Sequence, residues 1–398
     1  MKLLYALVAA SAAANKPSVM TLPSHERTQL REELAKWRQE FGAKAQAYMP
    51  PPVQGMNAME AETDALQRFY NTKLAIEEAR RKNPGATFDH HYPHALLTPA
   101  EFKKHVLGLS FEHGLKAFHS LPTAELNYSS VRAASVDWTK GDCVGPVRDQ
   151  GICGSCWAFS AVGSAESAHC LDTGKLLDLS EQQVVSCSNW NNGCLGGVPW
   201  YALDFMFSEG GCMEQDYPYT SGQGDSGTCM RSCTKKKLNI GATVQVSGEL
   251  ALETALNKQP VSVAVEAMNT EWMYYRSGEI EHCPGSQSDH AVIAVGYDES
   301  SYKIRNSWGE TWGEGGHIRL RRGAGGKGMC NVAEYVSFPQ IGAPTPKPTR
   351  KPRPTPRPNC GACRTCFYTP ANQCLYDEYT KDECEEYGPD YNMAWCGE

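Results

Sequence analysis

The sequence predicts an α+β protein, with helix-forming segments largely ahead of strand-forming ones. Three observations carry that reading. From Trp157 to Asp172 no proline interrupts a run in which Phe159, Val162 and Ala165, with Ala158, Ala161 and Ala168, suit one buried helix. Later, Val261 to Val265, His290 to Tyr297 and Tyr302 to Asn306 are short apolar runs of strand length. Between residues 24 and 121 the chain is charged and free of cysteine. That stretch holds a helix expected from Glu60 to Lys82, carrying Leu66, Phe69, Leu74 and Ile76. A further helix is expected from Thr98 to about Leu107, with threonine as N-cap, Pro99 at the first helical position and Glu101 three residues after the cap.

At the N-terminus, Met1-Lys-Leu-Leu-Tyr-Ala-Leu-Val-Ala-Ala10 sets one positive charge ahead of a short apolar run, with small residues through Ala14. This is the pattern of a secretory signal over residues 1–14, ended by Asn15, Lys16 and Pro17. No other segment approaches the ~20 apolar residues of a membrane span, so no membrane association is expected. With 398 residues, 41% of them hydrophobic, the chain can bury a sizeable core in two or three units. The formal charge of −7 argues against nucleic acid as a partner. The one basic run, Lys347 to Arg357, is interleaved with prolines and reads as part of a solvated linker over 342–359. As extended polyproline II, at ~3.1 Å per residue, that linker spans on the order of 50 Å.

Residues 360–398 then carry six cysteines in a segment too small to fold on its core alone. A zinc knuckle at Cys360, Cys363, Cys366 and Cys374 is the lesser reading, because secretion favours disulfides; no metal and no cofactor is expected. The whole chain has seventeen cysteines, and an odd count leaves one unpaired.

Gln150-Gly-Ile-Cys-Gly-Ser-Cys-Trp157 places one cysteine, Cys156, where a fold could activate it as a nucleophile. Cys156 stands at the start of the expected buried helix, where the partial positive charge of a helix N-terminus favours thiolate, the nucleophilic form. A base is then needed. His290, in Ser288-Asp-His-Ala-Val-Ile-Ala-Val-Gly296, lies 134 residues on, and Asn306, in Arg305-Asn-Ser-Trp-Gly309, lies 150 residues on. Taken singly, Cys153 and Cys156 also read as a redox pair and His290 as a core histidine. With these flanks and separations together, the chain resembles the papain-like cysteine proteases, of the papain and cathepsin L type.

The resemblance implies a two-lobed papain-like fold, one lobe helical and built around the Cys156 helix, the other β-rich, with a cleft between them. It implies an inhibitory helical pro-region over 15–132 and a peptidase domain over 133–341, beginning just before Ser135-Val-Asp-Trp138. Phe69 and Ile76 have the spacing of two anchors in the family's long pro-helix motif. Thr72 and Arg80 stand where asparagines are usual, and His90, His91 and His94 occupy the neighbourhood of its acidic pro-region motif. By the same resemblance Cys156 is the nucleophile, His290 its base and Asn306 the residue that orients the base. Trp308 shields that last bond, and Gln150 supplies an oxyanion-hole amide. Gly196 and Gly197 would pair with an extended substrate, Val198, Pro199, Ala264, Ala291 and Tyr335 would line the subsite for the second residue upstream of the cut, and Asp289 and Trp308 are further substrate-binding residues. That pocket is apolar if Tyr335 faces inward and admits a basic side chain if Glu334 does. The family framework pairs Cys153 with Cys194, Cys187 with Cys229, and Cys283 with Cys330. Cys143, Cys170, Cys212 and Cys233 are left with three possible connectivities, of which Cys170 with Cys212 and Cys143 with Cys233 is the favoured one.

The expected function is a zymogen-derived cysteine endopeptidase acting on protein and peptide substrates, inhibited by its own pro-region and destined for secretion or for a lysosome or vacuole. An exopeptidase is the weaker enzymatic reading, since no inserted histidine-bearing loop lies between Gly197 and Cys212. From another class, a binding protein whose function resides in the tail is opposed by the complete cysteine, histidine, asparagine and glutamine set. In the tail, Phe367, Tyr368, Tyr376, Tyr379, Tyr387, Tyr391 and Trp395 suit stacking on a polysaccharide ligand and equally suit a small core of their own.

Overall fold

The structure is a computed structural model that describes residues 17–48, 55–111, 114–128 and 133–342, together with three short strands in the tail. The expected signal and linker lie outside the described residues. The chain divides into two units, Met1–Thr345 and Pro346–Glu398. In the second, Cys366–Tyr368 pairs antiparallel with both Gln373–Leu375 and Met393–Trp395.

The first unit is α+β and has two lobes, each with its own apolar core. In the helical lobe, Cys156–Thr173 packs against Glu181–Cys187 and Pro199–Glu209. The central helix is covered almost all round, from Cys156 to Cys170, as its apolar and small side chains require, and Gly174 ends it in the left-handed conformation. In the β-rich lobe, strands run in the order Ala86–Phe88, Tyr275–Ile280, His317–Arg321, Ser301–Arg305, His290–Tyr297, Val261–Val265, Val336–Ile341 and Ile240–Val246. Only Tyr275–Ile280 and His317–Arg321 pair in parallel; Val136–Asp137 is attached beside His290–Tyr297.

Residues ahead of 133 build a helical region that shares the β lobe's core: Leu30, Leu34, Trp37, Leu66, Phe69 and Ile76 join one cluster with Trp272, Tyr275 and Trp312. The helix expected from Glu60 spans Ala58–Lys82, started by an Asn57–Glu60 capping box, and it buries Leu66, Phe69, Thr72, Ile76 and Ala79. Thr98 and Glu101 form the expected capping box of Pro99–His105, which stops two residues short of Leu107. Arg68 ties it down with a fork of two bonds to Glu101, at 2.6 and 3.1 Å. The helix Ser24–Tyr48 was not expected from the sequence, although Leu30, Leu34 and Trp37 have helical spacing and are buried.

Five disulfides join the described cysteines. Cys153–Cys194, Cys187–Cys229 and Cys283–Cys330 are the three that the resemblance implies. The other two correct the expected pairs: Cys143 bonds Cys170, and Cys212 bonds Cys233, so neither Cys170–Cys212 nor Cys143–Cys233 forms. Proximity created by the chain path decides this. The backbone of Gly211 exchanges two hydrogen bonds with Lys236, which brings Cys233 beside Cys212, while the Cys143 loop lies against the end of the central helix. The Cα separations, 5.3 and 5.9 Å, are ordinary for disulfides. Cys156 is the free cysteine among those described.

Candidate active site

Cys156 opens the central helix, and His290 opens a strand of the opposing lobe. The two meet because the N–H of Ala291, the residue after His290, donates to Cys156 Sγ at 3.4 Å. His290 Nε2 bonds Asn306 Oδ1 at 2.7 Å, and the same oxygen accepts from the Ser307 N–H at 2.8 Å. Trp308 stacks on the His290 ring at 4.8 Å and Trp272 meets it edge-on, so an aromatic wall keeps water from the His290–Asn306 bond. With Nε2 committed, Nδ1 is the free nitrogen: it is buried and has no hydrogen bond.

Gln150 is fully buried, and Ser307 Oγ orients it by donating to its Oε1 at 2.6 Å. Its amide nitrogen donates to Val106 O and to Cys153 O, both at 2.8 Å. Val106 belongs to the region ahead of the lobes, so a carbonyl of that region fills the place where a substrate oxyanion is expected. The segment continues along the cleft. Gly197 N–H donates to Gly108 O at 2.9 Å, Ser110 N–H donates to Gly197 O at 3.0 Å, and Leu109 N–H donates to Asp289 O at 3.2 Å. Leu109 runs parallel to Gly197 there. Gly108 lies so close to Gly154 that a Cβ would come within 1.8 Å of its carbonyl oxygen.

Beyond Gly108, Phe111 and Phe118 occupy the expected specificity pocket. Their rings lie 4.9 and 5.2 Å from Tyr335, and Phe118 packs on Trp200 at 5.1 Å and shares a core with Val198. Tyr335 therefore faces the pocket, while Glu334 turns to Lys327 at 2.7 Å. Pro199 begins the helix that carries Trp200, and Ala264 and Ala291 are paired neighbours on adjacent strands. The Asp289 carboxylate accepts from the Ala267 and Met268 N–H groups. Gly196, at φ 123°, accepts from Asn192. Trp200, Ser307, Trp272 and the covering residues Gly108 and Phe111 escaped the sequence reading; Trp200 adjoins Val198-Pro199 and Ser307 lies between Asn306 and Trp308, so these two had a local signal.

Burial sets the charge state of this closed site. It pushes the Cys156 thiol up to about 11 against the N–H groups of Ala291, Gly108 and Trp157. It pulls His290 down to about 4, opposed by the Asn306 bond. Both groups are thus neutral while the segment covers them. The ion pair that makes a thiolate costs too much without water.

A second histidine is neutral for the same reason. His94 is buried between Tyr92, Phe102 and Trp308, its Nε2 2.9 Å from Met273 O, and burial lowers it to about 4 against that carbonyl. Since its docked pKa lies below the free value of about 6.5, the docked state keeps its full stability above about pH 6.5 and loses it as pH falls toward 4. The whole shift amounts to up to about 3 kcal/mol. His90 is also lowered by burial and by the neighbouring His91 charge. Replacing His94 by phenylalanine is expected to lower the pH at which Cys156 of the full chain becomes reactive to a thiol-directed epoxide by about one unit. An unchanged labelling profile across about pH 7 to 4 would remove His94 from acid release.

The papain family cysteine protease pattern matches residues 132–340. The chain belongs to the papain family of cysteine proteases. It is 40% identical to Cysteine protease XCP2 of Arabidopsis thaliana over 255 residues, 61% of this chain and 70% of that one. With Cysteine proteinase RD21A of Arabidopsis thaliana it is 33% identical over 360 residues, 86% of this chain and 74% of that one. Among solved structures, the Amb a 11 cysteine protease, a ragweed pollen allergen in its proform, superposes with a TM-score of 0.68 at 30% identity, covering 81% of this chain and 99% of that one. This papain-family enzyme is accordingly made as a proform, and the segment through its cleft is the pro-region bound as inhibitor.

Proposed function

We propose that the protein is an endopeptidase in which Cys156 and His290 form a thiolate and imidazolium pair once the pro-region leaves. The observation that supports this most directly is that Cys156 Sγ is bonded by the residue next to His290, whose Nδ1 is uncommitted, while the Gln150 amide holds the segment that covers the site. The Sγ electron pair attacks the substrate carbonyl carbon, and the oxyanion is received by Gln150 Nε2 and the Cys156 N–H. The tetrahedral intermediate expels the amine, which takes the His290 proton, and leaves an acyl-enzyme. Water then attacks the thioester with His290 as base, releasing the acid and restoring Cys156. Asn306 orients His290 and makes no bonds to the reacting atoms. The apolar pocket of Val198, Trp200 and Tyr335 favours a hydrophobic residue second upstream of the cut.

Asn306→Ala is expected to lower kcat/KM by roughly tenfold to a hundredfold, and His290→Ala by roughly a thousandfold or more. Equal losses in folded, processed enzymes would contradict the division of roles.

The domain boundaries at 133 and 341 and the destination outside the cell or in a lysosome or vacuole belong to the same reading. Among the described residues no helix is long and apolar enough to cross a membrane. We assign residues 360–398 to holding the enzyme on polysaccharide. Cutting the mature chain after Ile341 should leave peptide turnover within about twofold. Retention on cellulose or chitin should vanish with the tail; full retention without it, or none with it, would sink the carbohydrate role.

A further inference from the structure

Arg305 is the last residue of the strand that leads into Asn306, and its side chain crosses from the sheet into the helical lobe. Its Nη1 donates to Gly145 O at 2.8 Å. The guanidinium lies against the central helix at Gly163, where a Cβ would come within 2.0 Å of Nη2, so only glycine leaves it room. Burial lowers its pKa, and Glu166 and Glu181 on that lobe oppose this only in part, since burial raises them to about 7 and about 8, toward the neutral acid. Glu166 is itself fixed, its Oε1 accepting the Leu179 N–H at 2.8 Å. Arg148, Glu181, Arg305, Asn306 and Ser307 line one cavity of about 20 Å³, room for about one water. In the sheet, Arg305 pairs with Ile293, three residues from His290.

A buried arginine is a poor way to gain stability, since desolvating it offsets most of its attraction to the carboxylates. It is a good way to hold one angle. The two reacting groups come from different lobes, and a misplacement of about 1 Å costs on the order of a hundredfold in rate. We propose that Arg305 is a positioning residue: bonded to Gly145 and seated against Gly163 of the helical lobe, it fixes the strand end from which Asn306 holds His290. This rests on the functional reading above.

The test is a mutant cycle on processed enzyme with a peptide substrate. Arg305→Met is expected to lower kcat roughly tenfold to a hundredfold with KM changed less than about twofold, because the specificity pocket is untouched. Arg305→Lys should recover part of the loss. In an Asn306→Ala background the Arg305→Met effect should shrink to about twofold or less, since the contact it acts through is already gone. A general weakening of the fold would instead multiply the two losses, and that result, or a loss confined to KM, overturns the proposal. Should Arg305→Met fail to fold, Arg305→Lys carries the test: a several-fold kcat loss that disappears beside Asn306→Ala is expected, and unchanged kcat overturns it. Cys156→Ala serves as the control. If it retains turnover, the functional reading itself has failed; if it does not while the cycle is additive, only the role of Arg305 has.

Discussion

Processed Cys156→Ala enzyme, cleaved from its precursor by added wild-type enzyme, is expected to bind peptide and hydrolyse none. The loss should be roughly ten-thousandfold or more, because no bond to the acyl carbon can form without the sulfur. Within residues 133–342 no other cysteine can substitute, as the remaining ten are paired in disulfides. The side chain points into a closed site against Ala291 and fills little volume, so removing its sulfur should leave the fold intact. Turnover of a fluorogenic peptide, with an unaltered melting transition, measures this. Residual activity above that of contaminating wild-type enzyme would end the assignment of Cys156 as nucleophile.

The second large effect concerns latency. Gly108→Val should release the pro-region from the cleft without touching the catalytic lobes. The added Cβ would meet the Gly154 backbone at 1.8 Å, and backbone cannot turn aside as a side chain can. The segment must then lift, losing the Gly197–Gly108 bond and the bond from Gln150 to Val106. Overpacking of this kind costs about 1–3 kcal/mol, which makes the uncovered site roughly fivefold to a hundredfold more populated at neutral pH. The rate of epoxide labelling of the intact precursor reads that population. As Cys156 and His290 regain water on opening, the labelled species should also behave as thiolate at neutral pH. A labelling rate equal to that of the wild-type precursor would show that Gly108 does not secure the closed state.

These two predictions differ in what made them visible. Cys156 stood out by its place at a helix start, while His290, Asn306 and Gln150 were named through the family resemblance that their flanks and separations carry. The Thr98–Glu101 cap was equally local, whereas the Asn57–Glu60 cap was passed over although its signal is as local. Gly108 gave no such sign. Its importance arises from a carbonyl 46 residues away, at Gly154. Phe111 and Phe118 likewise look like ordinary apolar residues until the chain lays them on Tyr335 and Trp200.

What the sequence determined by itself was therefore the family and the class of fold, carried by an odd cysteine count, the motifs around Cys156, His290 and Asn306, and helices and strands whose periodicity shows them buried. Hydrophobic pattern and capping act within a few residues, so they survive in a linear reading. The tertiary structure alone decided which of the four remaining cysteines pair, because disulfides follow Cα proximity, and the Gly211–Lys236 contact sets it for Cys212. It also decided that Tyr335 and not Glu334 faces the pocket, that Arg305 reaches across to the helical lobe, and that His94 is neutral beneath Trp308. Each depends on what surrounds a side chain once distant segments are packed together, since burial and neighbouring charge fix ionisation and orientation while the residue's own identity leaves them open.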